Sequence, residues 1–156
     1  MTFQQIQLVK DSYQRVAALP ADAVGQLFYG RLFGIAPEVR PLFIRTSVPE
    51  QSKKLLATFT YVITRLDQLD TVVADVEALA RRHMHYGVQE HHYVVVGQAL
   101  LWTLEQGLGS AWTPEVQAAW QACYTLLSDT MLNAVVDHKT NDDGKVAKSS
   151  PAVMLT

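Results

Sequence analysis

The sequence holds one cysteine, Cys123, in 156 residues. That excludes an internal disulfide and with it the stapled frameworks of small secreted domains. It also has little excess charge: 13 Lys and Arg against 15 Asp and Glu give a formal net charge of -2. Nucleic acid or an anionic membrane requires a concentrated basic face, and the pairs Lys53-Lys54 and Arg81-Arg82 are too short to make one, so no nucleic-acid partner is expected. No apolar run approaches the roughly 20 residues that cross a bilayer, so no membrane span is expected. The N-terminus is amphipathic and Gln-rich, not a basic segment followed by an apolar one, which predicts a cytoplasmic location. Finally, no stretch alternates apolar and polar residues well enough to suggest a sheet.

What is present is helical period, in nearly every segment, so the fold class is all-α. Thr2 can cap a first helix to about Ala18, with Ile6, Val9, Tyr13 and Val16 as its apolar stripe. Pro20 opens a second helix bearing Val24, Leu27, Phe28, Leu32 and Phe33. Pro37 and Pro41 bracket a short helical turn that ends near Phe43, and Thr46 to Pro49 form a loop before a helix beginning near Glu50. Gln51, Leu55, Phe59 and Val62 share one face of that helix. A further helix runs from Asp70 to His83, another from about Tyr93 to Leu108, and the last follows the cap Thr113-Pro114 with Val116, Trp120, Cys123, Tyr124, Leu127 and Met131. Residues 1–137 read as one domain. From His138 the composition turns to Lys-Thr-Asn-Asp-Asp-Gly-Lys, which cannot bury enough apolar surface to order itself, so 138–156 is expected to be a flexible tail.

Within this helical frame His83 is the residue that points to chemistry. Val72, Val76, Leu79 and His83 recur at helical steps, which sets the imidazole on the apolar side of its helix, and Gly87 then supplies a stop. Such a histidine serves either as a hydrogen-bonded core residue or as a metal ligand. His85, two residues on, is turned by about 200° and cannot face the same ion.

Three separated features fit one another: Phe28-Tyr29 with Leu32-Phe33, the segment Pro37-Glu38-Val39-Arg40-Pro41-Leu42-Phe43, and His83 with Gly87-Val88, His92-Tyr93 and Val96-Gly97. Together they resemble the globin family, in its bacterial single-domain and flavohaemoglobin-type branch, over residues 2–136. The resemblance implies a globin fold with haem b held in a pocket between distal and proximal helices. By that resemblance His83 is the proximal ligand to the iron, Phe43 packs on the porphyrin, and Val88, Tyr93 and Val96 border it. Tyr29 and Gln51 take the distal side, where a phenol and an amide can each donate a hydrogen bond to a bound gas that carries partial negative charge. Leu55, one turn beyond Gln51, limits access to the iron. His92 lies either near a haem propionate or in solvent, and Lys54 and Arg82 are read likewise; His91 and His138 are read as solvated. Relatives of the flavohaemoglobin type also place a glutamate of the last helix near the ligand histidine. Carrying the register from Trp120 puts Val135 there, which weakens the case for peroxidase-like chemistry.

The expected function is reversible binding of dioxygen or another diatomic gas, with oxygen transport as one such role. A nitric oxide dioxygenase supplied with electrons by a separate reductase is the alternative, because the same pocket serves both. A haem-free helical interaction module is the third reading.

Overall fold

The computed structural model describes residues 1–43 and 45–141, and of residues 137–141 the backbone alone. It is built from six α-helices: α1 Phe3–Ala17, α2 Ala21–Ile35, α3 Val48–Ile63, α4 Val73–His85, α5 Glu90–Leu108 and α6 Pro114–Asn141. Three 3-10 segments, Pro37–Phe43, Leu66–Thr71 and Gly109–Ala111, lie between them. No strand occurs among the described residues. The expected all-α class is the observed one.

Local chemistry explains where the helices begin. The Gln5 amide donates to Thr2 Oγ1 at 3.1 Å and the Thr2 amide to Gln5 Oε1 at 3.0 Å, a reciprocal cap at the start of α1. α1 then buries Val9, Tyr13 and Val16 in the main core, against α6. There the Trp120 indole donates to Ser12 Oγ at 2.9 Å, and the Ser12 hydroxyl donates to the Leu8 carbonyl at 2.6 Å, so the two buried polar groups satisfy each other. Cys123, 1% exposed in the same core, has its thiol pKa pushed up to about 12 by burial, which makes it a small apolar residue.

Two close approaches set the helix arrangement. A Cβ on Gly25 would come within 1.6 Å of Ser52 Oγ, so α2 crosses α3 where only glycine fits. A Cβ on Gly97 would come within 2.5 Å of the Tyr124 ring, which fixes α5 on α6 in the same manner. By contrast α3 and α4 barely touch each other; α4 leans on α6 through the apolar cluster of Val76, Leu79, Ala80, Met131 and Ala134.

The boundaries differ from the sequence reading in four places. α3 starts at Val48, because Ser47 accepts the Glu50 amide at 3.3 Å and Pro49 is tolerated in a first turn whose amides need no helical partner. α4 starts at Val73 and not Asp70: the Thr71 hydroxyl donates to the Gln68 carbonyl at 2.6 Å, and Gln68 leaves helical geometry at φ -128° and ψ 43°. α5 starts at Glu90, ahead of Tyr93, and α6 continues to Asn141, past the expected boundary at 137. The remainder of the expected tail, 142–156, lies outside the described residues.

Candidate cofactor site

The gap between α3 and α4 holds an apolar cavity of about 70 Å³. Leu55 and Phe59 of α3 form one wall, Val76, Leu79 and His83 of α4 another, and Val88, Tyr93 and Val96 close it from the side of α5. Five of the residues expected around a cofactor, Leu55, His83, Val88, Tyr93 and Val96, therefore meet on one cavity.

His83 is placed by the last turn of α4 and is 1% exposed. Its Nδ1 lies 2.7 Å from the Leu79 carbonyl oxygen. A carbonyl only accepts, so Nδ1 carries the proton and the lone pair of the neutral ring is on Nε2. Burial lowers the pKa to about 4, the Arg82 charge lowers it as well, and the bond to Leu79 opposes both. The ring is thus neutral at pH 7 and fixed in one tautomer, as a metal-ligating imidazole must be. His85 is exposed, in line with its position two residues further round the helix. Gly87, at φ 96°, turns the chain after α4, and the Val88 amide donates back to the His83 carbonyl at 3.0 Å, which carries Val88 inward.

Tyr29, Phe43 and Gln51 border a second cavity of about 530 Å³, formed by α2, the segment Pro37–Phe43 and the first turn of α3. Tyr29 is 2% exposed and packs edge-on against Phe43, with ring centroids 5.3 Å apart. Its hydroxyl is buried with no hydrogen bond of normal geometry, although Gln51 comes near enough to offset slightly the rise in pKa that burial imposes. Gln51 is buried beside Ser52, so the Gly25 crossing is what brings α2 and α3 close enough to set phenol and amide together. Gln51 and Leu55 are one turn apart on the same face of α3, so the two cavities lie next to each other along that face.

Other expected residues have different surroundings. His92 Nδ1 accepts the Gln89 amide at 2.9 Å, so the imidazole caps α5. Lys54, Arg82 and His91 are exposed, and the side chain of His138 lies outside the described residues. Val135 is half-buried among Met131, Ala134 and Leu79. Tyr124 belongs to an apolar stripe in the sequence, yet it borders the first cavity and its hydroxyl donates to the Tyr93 carbonyl. Gly97 is the sequence signal for this contact, since a glycine inside a helix marks a close neighbour.

No group of three or more His, Cys, Asp or Glu able to hold a bare ion occurs among the described residues. A metal here needs a carrier that brings its own ligands, with one imidazole from the protein. A flat apolar macrocycle fits both the donor set and the apolar lining between α3 and α4.

Comparison with known proteins agrees with this chemistry. The globin family model matches residues 26–131. The flavohemoprotein of Vibrio cholerae is 29% identical over 135 residues, 85% of this chain and 34% of that protein. That of Bordetella pertussis is 33% identical over 113 residues, 71% of this chain and 28% of that protein. The chain thus spans about a third of the length of these relatives. Among solved structures, a bacterial globin from Campylobacter jejuni superposes with a TM-score of 0.77 at 24% identity, covering 89% of this chain and 99% of its own. An engineered carbene transferase from Rhodothermus marinus, described as a putative nitric oxide dioxygenase, gives 0.75 at 25% identity, covering 91% and 99%.

Proposed function

Since this chain belongs to the globin family, we propose that it is a haem b protein that binds dioxygen or another diatomic gas reversibly, with His83 Nε2 as the atom that would hold the iron. The observation that carries the reading is the neutral, tautomer-fixed imidazole on the wall of a buried apolar cavity. Haem, when bound, supplies the iron and the redox chemistry that the side chains lack.

The protein supplies position and electrostatics. The Leu79 carbonyl orients His83 and raises its basicity modestly. Leu55 and Phe59 keep the site dry and narrow it. One turn before Leu55 on α3, the Gln51 amide lies beside the buried Tyr29 hydroxyl, which donates to a ligand that takes up negative charge. In a low-dielectric pocket such a donor slows release of a polar ligand over an apolar one.

A second reading, nitric oxide dioxygenase, is supported by the likeness to the Rhodothermus marinus protein and to flavohemoproteins. Electrons then reach the site from a reductase partner. The resemblance implies a glutamate of the last helix near the ligand histidine; at that place Val135 is an apolar residue packed on the α4–α6 cluster, which weakens the case for peroxidase-like chemistry. No described helix is long and apolar enough to cross a membrane.

Absorption spectra of the purified protein test the first reading. A Soret band with distinct ferrous, oxygenated and ferric forms is expected; its absence with haem supplied leaves only a helical interaction module. Steady-state nitric oxide consumption with a cellular reductase and NAD(P)H separates the two haem readings, because a gas carrier stops after one turnover.

A further inference from the structure

A tyrosine near the end of α3 reaches across to α4. The Tyr61 hydroxyl donates to Asp75 Oδ2 at 2.6 Å, and Asp75 stands in the first turn of α4. That bond is the main cause of a raised Tyr61 pKa, since a negative acceptor favours the phenol that donates to it. Arg65 steadies the same residue: its guanidinium lies over the Tyr61 ring, 4.2 Å from the centroid, and its Nη1 donates to the Tyr61 carbonyl at 3.1 Å.

The place of this contact gives it weight. Tyr61 and Asp75 border an outer groove of about 440 Å³ between the two helices. Thr58 and Val62 of α3, with Val76 and Leu79 of α4, line that groove and also the inner cavity on which His83 stands. These four side chains are the wall between the two spaces, so a planar group passing from the groove to His83 has to part α3 from α4. Little else resists that parting, because the helices barely touch. The connection between them leaves helical geometry at Gln68 and is fastened to α1 by the Lys10–Asp67 ion pair at 2.7 Å. α4 can therefore pivot at that end, where the Tyr61–Asp75 bond restrains it.

We propose that Tyr61 and Asp75 form a clasp across the α3–α4 gap that sets how fast the cofactor is exchanged. Closed, it keeps α4, and His83 with it, against α3; open, it lets groove and cavity merge into one slot. Both residues are exposed, so the clasp contributes little to global stability and acts on local opening. The inference rests on the haem reading and deepens it, by assigning to two residues the motion that admits and releases the macrocycle.

The test is transfer of ferric haem from the purified protein to an excess of a tight-binding apoglobin, followed in the Soret band, for Tyr61→Phe, Asp75→Ala and the two combined. Tyr61→Phe keeps the ring beneath Arg65 and removes the hydroxyl. Each single variant is expected to lose haem about fivefold faster than the parent, the double variant no faster than the faster single one, with dioxygen dissociation unchanged. Comparing all four proteins cancels what Asp75 contributes merely as a carboxylate at a helix N-terminus. Hydrogen exchange of the same proteins as purified should quicken in α4 and stay at the parent's level in α1. A parent-like rate of haem loss, single effects that multiply in the double variant, or unaltered exchange in α4 overturns the clasp. A missing Soret band counts against the haem reading alone, and exchange in α4 then decides whether the clasp restrains that helix.

Discussion

Gly25 and Ser52 meet so closely that a Cβ on the glycine would lie 2.3 Å from the serine Cβ. Their contact joins α2 to α3 and thereby sets Tyr29, one turn after Gly25, beside Gln51, next to Ser52. In a helix Gly→Ala ordinarily gains up to about 1 kcal/mol from propensity. Here overpacking, about 1–3 kcal/mol, outweighs it. Gly25→Ala is therefore expected to lower the melting temperature and, by moving Tyr29 away from Gln51, to speed release of the gas, with partial recovery on adding Ser52→Gly. A Gly25→Ala protein as stable as the parent would show that the helices slide apart without cost.

His83→Ala is expected to lose haem or its normal axial coordination, whereas His85→Ala keeps both, because only His83 is buried on the cavity. Ferrous absorption spectra of the two variants decide this. Identical, parent-like spectra would remove His83 as the ligand.

Tyr29→Phe keeps the ring that packs on Phe43 and deletes one donor. A hydrogen bond to a charged acceptor contributes about 1.5–3 kcal/mol, so dioxygen should leave roughly ten- to a hundredfold faster. Stopped-flow dissociation with haem retained is the measurement, and an unaltered rate would take Tyr29 out of contact with the gas.

The cap of α5 should respond to acid. His92 accepts the Gln89 amide through Nδ1, which it can do only while that nitrogen is unprotonated. Burial first, then the neighbouring His91, lowers its pKa, and Glu38 opposes them. The folded state thus prefers the neutral ring; the cap's contribution is complete above the unfolded value of 6.5 and is lost as pH falls through the depressed folded value. His92→Gln retains an acceptor for the same amide and cannot titrate. Its stability, followed by denaturant unfolding below pH 6.5, should fall less steeply than the parent's. Equal slopes would remove His92 from the acid response.

Much of this site is legible in the amino-acid sequence, for reasons visible in particular residues. The 3.6-residue period puts Leu79 and His83 on one face, and Gly87 marks the turn that brings Val88 inward. Pro37 and Pro41 restrict the backbone strongly enough to declare their short segment. What local sequence leaves hidden is tertiary. Nothing local in Tyr124 says that it borders a cavity, because its position follows from α5 passing at Gly97. The late start of α4 depends on the Thr71 side chain competing with the helix for the Gln68 carbonyl, a choice propensity does not decide. The cap role of His92 likewise requires the Gln89 amide to be in place.

The tight α2–α3 crossing and the support of α4 by α6 divide the binding gap into two jaws. One carries Tyr29 and Gln51, the other His83, and beyond the Tyr61–Asp75 clasp the jaws scarcely touch. Side chains without shared partners contribute almost additively. Retention of the gas and grip on the macrocycle should accordingly behave as separately adjustable traits: changes within α2 and α3 retune the first, changes within α4 and α6 the second. A lineage with this architecture can drift in ligand preference while its hold on the prosthetic group stays constant.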